Sequence, residues 1–386
     1  MQSRSPKLDQ DDFGPKSGLL SRQKIELMVR RGMILHQEEL EGSQFQPASL
    51  DLRLGPRAYR VRASFLPGKD RSVKDQLRTL IENDAGISLE EAGAVLERGC
   101  VYVIPLLEHL RLPDGISALA NPKSSTGRLD IFTRLITDHS EVFDRVSRGY
   151  EGPLYAEVSP RSFSVRVRKG AKLNQIRFRL LNAQQLEQTD FGIDDNEMRE
   201  HHAESPLVDG ELNLRNGLVL RVALNAEALG QVIGYRAQKH ADILDIDRVG
   251  AYRMDDYWDK VFARKDNRLI LDPGEFYILA SQERLHIPRD LAAEMVPIDP
   301  AMGEFRVHYA GFFDPGFGAA PDNRPGARAV LEVRSHEVPF ILEDGQIIGR
   351  LVYEKMAEPP QVLYGEGDAS NYQGQGLKLS KHFVVG

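Results

Sequence analysis

The sequence predicts a mainly β protein made of two tandem copies of one domain, with a few short helices. Three observations carry this. Short alternating runs are punctuated by Gly and Pro, the pattern of antiparallel sandwiches and barrels. A shift of 175 positions lays Gly99 on Gly274, Tyr102 on Tyr277, Glu108 on Glu283, Leu110 on Leu285, Pro113 on Pro288 and Ala118 on Ala293. The length of 386 residues suits two or three domains at about 150 residues each.

The elements follow in order. Residues 1–18 read as a polar tail. A helix begins after Ser21 as its cap, shows Ile25, Met28 and Val29 on one face, and ends at Gly32. Leu50 to Leu54 alternates as a strand until Gly55-Pro56 breaks it. Val73 to Asn83 reads as a second helix, with Leu77, Leu80 and Ile81 apolar. Val101 to Leu107 is an apolar strand, and Ser162 to Arg168 alternates before a Lys169-Gly170 turn. The 175-residue shift also pairs Glu157-Val158 with Glu332-Val333 and Gly170 with Gly345. Leu50 to Gly55 resembles Leu212 to Gly217. The chain therefore divides into an N-terminal domain (19–185), a polar linker (186–208), a C-terminal domain (209–360) and a C-terminal tail (361–386).

Composition narrows the function. Hydrophobic residues make up 41% and charged residues 28%, a soluble globular balance. No run reaches the roughly 18 apolar residues of a membrane helix, and Met1 to Gly18 lacks the pattern of a secretory signal. The net charge of −7 disfavours nucleic-acid binding through a basic surface. Cys100 is the one cysteine, which excludes an intrachain disulfide and a thiolate-rich metal site. A cytoplasmic enzyme or binding protein is expected.

Asn121-Pro122-Lys123-Ser124-Ser125-Thr126-Gly127-Arg128 packs cations, hydroxyls and a glycine into eight residues. Phosphate oxygens seek such donors. It is not a Walker loop, because no Gly-x-x-x-x-Gly-Lys precedes it. Asp138-His139, Asp144 and Gly149-Tyr150-Glu151-Gly152 follow. Glu157 then sits in the apolar strand context Leu154 to Val158. A carboxylate there either faces solvent or acts from a pocket as a base of raised pKa.

These residues resemble a family. Lys123 to Arg128 is similar to the Arg-Ser-Ser-x-x-Arg motif of the dCTP deaminases, which share the trimeric dUTPase fold. Ala48 to Gly55 resembles their first motif, Asp144 through Glu157 their Asp-Pro-Gly segment, Lys169-Gly170 to Phe178 a later strand, and Leu20 to Gly32 their N-terminal helix. In the second copy the resemblance runs through Asp314-Pro315-Gly316-Phe317-Gly318, Leu331-Glu332-Val333 and Gly345 to Ile348. Tyr364 and Asn371-Tyr372-Gln373-Gly374-Gln375 resemble the tail that covers the nucleotide. The resemblance implies two dUTPase-like distorted β-barrel/jelly-roll domains. Three departures stand out. Lys replaces the usual Arg at 123, Arg145 to Arg148 stand where a lone Pro is expected, and Ile298 to Gly303 has neither Ser pair nor Arg. The first copy is therefore expected to keep the catalytic set, with Glu332 a structural relic.

The resemblance implies hydrolysis of dCTP to dUTP and ammonia. Glu157 is the expected general base, with Ser124 and Arg128 orienting water and stabilising the adduct. Lys123, Ser125 and Arg128 are expected on the triphosphate, Asp144 on the deoxyribose, and Tyr364, Tyr372 and Gln375 over the nucleotide. Mg²⁺ arrives on the substrate triphosphate. No zinc is expected, because His36-Gln37-Glu38 and His202-Ala203-Glu204 match only half of the zinc-deaminase pattern and one cysteine cannot supply the rest. The expected partners are dCTP and dUTP, with no nucleic acid or membrane. A homo-oligomer is expected, most simply a trimer. A bifunctional enzyme that also cleaves dUTP to dUMP, and a non-catalytic nucleotide binder, are the alternatives. His139 and His308 read as structural, Tyr257 and Trp258 as part of a helix packed on a sheet, and Arg161, Arg166 and Arg168 as a solvated face.

Overall fold

A computed structural model describes residues 10–81, 86–186, 190–297, 305–308, 311–319, 326–335, 337–366 and 372–384. The repeat is visible in the topology. In the first copy, strand Lys172–Leu180 lies between Ile116–Pro122 and both Gly18–Leu19 and Leu50–Arg53. A second sheet orders Arg57–Val61, Val101–Arg111, Glu151–Pro160 and Ile131–Thr137. In the second copy, Ile347–Lys355 lies between Leu218–Arg221 and Leu291–Pro297. Its second sheet orders Val232–Ala237, Phe276–Leu285, Ala327–Ser335 and Phe305–His308. Each copy is thus mainly β, with short helices at its margins.

The first predicted helix spans Arg22–Arg30 and buries Ile25 and Met28. Ser21 occupies the cap position, but its hydroxyl donates to Glu358 of the second copy at 3.0 Å instead of capping. The second helix spans Val73–Leu80 and is capped by Ser72; Asn83 lies outside the described residues. The alternating run at 162–168 is a strand only over Val165–Val167. Tyr257 and Trp258 are not helical. A 3-10 turn, Met254–Asp256, leads into strand Trp258–Phe262. Arg168 is not a solvated side chain either. Its guanidinium grips both carboxylate oxygens of Asp245 at 2.8 Å, and strand Leu244–Asp245 runs parallel to Val165–Val167.

The two copies share a core. Trp258 and Phe276 of the second copy and Phe383 of the tail join the first copy's apolar cluster. Trp258 meets Phe163 edge-on, with ring centroids 5.5 Å apart. Burying large aromatics across the boundary makes it resemble a domain interior. Arg177, 3% exposed, donates to Asp314 at 2.9 Å and to the Ala293 carbonyl at 3.1 Å. Among the described residues no helix is long and apolar enough to cross a membrane.

Candidate active site

The phosphate-like turn sits where strand Ile116–Pro122 ends. The chain coils once over Ser124–Gly127, with the amides of Thr126 and Gly127 bonded back to the Lys123 carbonyl. This turn faces the second copy. One pocket is lined by Lys123, Ser124, Ser125 and Arg128 from the turn, and by Asp314, Phe317 and Glu332 from the second copy. Tyr364, Tyr372 and Gln375 of the tail close it.

Glu332 lies on strand Ala327–Ser335, and a Cβ built on Gly127 would stand only 2.8 and 2.9 Å from its two carboxylate oxygens. The missing side chain at 127 is what lets the carboxylate reach the turn. Glu332 is 5% exposed. Burial pushes its carboxyl well above the usual carboxylate range, while the Arg128 charge pulls it back and Asp130 adds to the rise.

Arg128 is held by the tail. Its Nη1 donates to the Lys378 carbonyl and its Nη2 to Gln375 Oε1, both at 3.0 Å, and its guanidinium stacks 3.8 Å from the Tyr372 ring centroid. Its Nε is buried and has no hydrogen-bond partner among the described residues. Lys123 pairs with Asp51, whose second oxygen also lacks a hydrogen-bond partner among the described residues. Buried polar atoms left open in this way await a ligand or water. Asp314 is held by Arg177; burial raises its carboxyl, and the Arg177 charge opposes the rise. Gly316 has φ +93, and a Cβ there would meet Leu363 at 2.7 Å and the Tyr364 amide at 2.9 Å. Glycine is thus required where the tail crosses the Asp314–Phe317 loop.

Seven of the nine sequence-predicted site residues meet in this pocket: Lys123, Ser124, Ser125, Arg128, Tyr364, Tyr372 and Gln375. Glu157 and Asp144 are not among its lining residues. Glu157 lies opposite Arg134 in the sheet register and accepts from it at 2.6 and 3.1 Å. Asp144 accepts from the Leu135 amide at 2.7 Å, and burial pushes its carboxyl up to about 7. Glu157 and Asp144 therefore lie near Arg134, outside this pocket. The second copy supplies Glu332 and Asp314 to the pocket, beside Asp51 of the first. The intact Asp314-Pro315-Gly316-Phe317 segment was the available signal, since the first copy's counterpart is interrupted at Arg145 to Arg148. In the second copy, His308 lies opposite Glu332 in register, where the first copy has Arg134. Residues 298–303 and Asn371 lie outside the described residues.

Two β-barrel-like copies closing a phosphate-type turn against a buried carboxylate define a nucleotide-handling protein of the dUTPase-like class. The chain belongs to the 2'-deoxycytidine 5'-triphosphate deaminase family: the N-terminal domain model matches residues 16–183 and the C-terminal domain model residues 194–383. The crystal structure of 2'-deoxycytidine 5'-triphosphate deaminase from Agrobacterium tumefaciens is 50% identical with a TM-score of 0.83, covering 89% of this chain and 100% of that one. A Halobacterium salinarum protein named "dCTP deaminase, dUMP-forming" is 32% identical over 126 residues, covering 32% of this chain and 60% of the relative. A Natronomonas pharaonis "dCTP deaminase" is 29% identical over 141 residues, covering 36% of this chain and 68% of the relative. The chain thus spans a little under two thirds of the Halobacterium relative it matches.

Proposed function

We propose that the chain hydrolyses dCTP to dUTP and ammonia in the pocket between its two copies. The observation that carries this reading is the buried Glu332 carboxylate lodged against Gly127 of the Lys123–Arg128 turn. Glu332, rather than Glu157, takes a proton from water as the oxygen attacks C4 of cytosine. Glu332 passes that proton to ring N3 as the tetrahedral adduct forms, then carries the adduct's hydroxyl proton to the amine, so that the C4–N bond breaks, the C4 carbonyl forms and ammonia leaves. Ser124 and Arg128 orient the water and offset charge on the adduct. Asp314, fixed by Arg177, accepts from the sugar hydroxyl in the role first expected of Asp144. Lys123 and Ser125 contact the triphosphate, which brings its Mg²⁺ with it as part of the substrate. Tyr364, Tyr372 and Gln375 exclude bulk water. Zinc has no part in this reading, for want of a second cysteine.

A second reading adds hydrolysis of dUTP to dUMP and diphosphate. The dUMP-forming name of the Halobacterium relative favours it. Incubation with dCTP and Mg²⁺, followed by ammonia assay and nucleotide separation, tests both. Ammonia with dUTP supports the first reading, and ammonia with dUMP and diphosphate the second. Binding without ammonia overturns both.

A further inference from the structure

Strand Ala327–Ser335 sends alternate side chains to opposite sides. Leu331 and Val333 enter the second copy's core, while Val330 packs in the first copy's cluster and lines the pocket with Glu332. Arg334 follows Glu332 by two residues and points the same way. Its Nη2 donates to Asp130 of the first copy, and its Nη1 to the Gly274 carbonyl of the second. Two successive side chains on one face of the strand thus meet one short stretch of the first copy, Glu332 at Gly127 and Arg334 at Asp130.

That stretch is fixed at both points. The Asp130 amide donates to the Gly127 carbonyl at 2.8 Å, and the Asp130 carbonyl accepts from the Arg161 amide at 2.9 Å. Asp130 has φ +55, a left-handed conformation that Asp and Asn adopt more readily than most residues with a side chain. Its carboxylate also accepts from the Ser162 hydroxyl at 2.6 Å. The side chains of Arg334 and Asp130 are 12% and 1% exposed. A buried ion pair is costly to break, because the charge that remains is held out of water without a partner. The first copy's strand carries no such arm: two residues beyond Glu157 stands Ser159, whose hydroxyl has no hydrogen-bond partner among the described residues.

We infer that Asp130 and Arg334 are positioning residues for the reaction: their ion pair holds the second copy's strand against the first copy's turn so that the Glu332 carboxylate stands at Gly127. This rests on the reading of Glu332 as the base and deepens it. The pair also acts through charge. Asp130 is an anion near enough to Glu332 to disfavour its ionised form, against the pull of Arg128, and Arg334 offsets that anion. Asp51, Lys123, Asp314 and Lys381 line the same pocket, and His308 lies opposite Glu332 in register; the variants below leave all of them in place.

The test is ammonia release from dCTP as a function of pH, with dCTP affinity by calorimetry and melting temperature on the same variants. Asp130→Asn keeps the shape of the side chain and suits the left-handed backbone. It is expected to lower kcat by about ten-fold or more, as a displaced reacting group does, with dCTP affinity unchanged. The acid limb of its kcat profile is expected to move to lower pH, because an anion beside the base is gone. Arg334→Met is expected to lower kcat as well but to move the acid limb to higher pH, because Asp130 is left unopposed. Arg334→Lys, which keeps the charge, is expected to recover most of kcat and to return the limb to its place. A pair that merely braced the fold would lower the melting temperature without driving the two limbs apart, and that result overturns the inference. So does a wild-type kcat in Asp130→Asn, which decides the matter alone if Arg334→Met does not fold. Failure of the underlying reading is separate: ammonia release at the wild-type rate from Glu332→Gln overturns Glu332 as the base, whereas an inactive Glu332→Gln beside fully active pair variants overturns this inference only.

Discussion

Burial favours the neutral form of Glu332, and a general base must be ionised to act. Turnover is therefore expected to rise with pH through a value above the ordinary glutamate range near about 4.3. A kcat profile that is flat from pH 5 upward would remove Glu332 from the rate-limiting step. Glu332→Gln is expected to cut ammonia release by about 10²–10⁴-fold, with dCTP binding retained by calorimetry. Glu157→Gln deprives only Arg134 of its partner, so turnover is expected to stay within about two- or three-fold, with a modest loss of stability. Asp144 makes a separate claim about stability. Its carboxyl loses its proton near 3.8 in the unfolded chain and near about 7 in the fold. Between those values the folded state holds a proton that the unfolded state has released. The stability from Asp144 is therefore full at low pH and declines as pH climbs toward 7. Asp144→Asn should flatten that decline in melting temperatures measured from pH 4 to 8.

At the scale of elements, the turn Ser124–Gly127 and strand Ala327–Ser335 meet only because position 127 carries no side chain. Gly127→Val is expected to displace the Glu332 carboxylate and lower kcat by about ten-fold or more, since misplacing a reacting group by an ångström costs on that scale. A wild-type kcat in that variant would show that the carboxylate acts from elsewhere. The turn itself was legible in the sequence, because its chemistry lies in eight consecutive residues. So were the repeat and the β character, which alternation and Gly/Pro punctuation spell out locally. The partner of the turn was not. Glu157 and Glu332 occupy matching places in the repeat, and only the packing of one copy on the other decides which faces Gly127. Local signals also misled at Trp258, where a cluster of acids and aromatics read as a helix. Its indole is instead drawn into a strand by Phe163, Phe276 and Phe383. Likewise Ser21 sits at a helix start, but its hydroxyl answers to Glu358.

Over the whole molecule, the copies are joined by a common core and by buried ion pairs. Arg177 and Asp314 are 3% and 7% exposed. Removing one member leaves the other charge buried and unmatched, which costs roughly 3–5 kcal/mol. Arg177→Met is accordingly expected to lower the unfolding free energy by about that amount in urea titrations and to weaken nucleotide binding by releasing Asp314. A change under about 1 kcal/mol would mean that the pair is no brace between the copies.

The two copies divide the pocket between them: the first brings the hydroxyl-rich turn and Asp51, the second Glu332 and Asp314. One polypeptide consequently carries both walls of the pocket. Mixing a Ser124→Ala chain with a Glu332→Gln chain should restore nothing, because neither mutant can lend its intact half to the other. Recovery of activity on mixing would show that halves are exchanged between polypeptides.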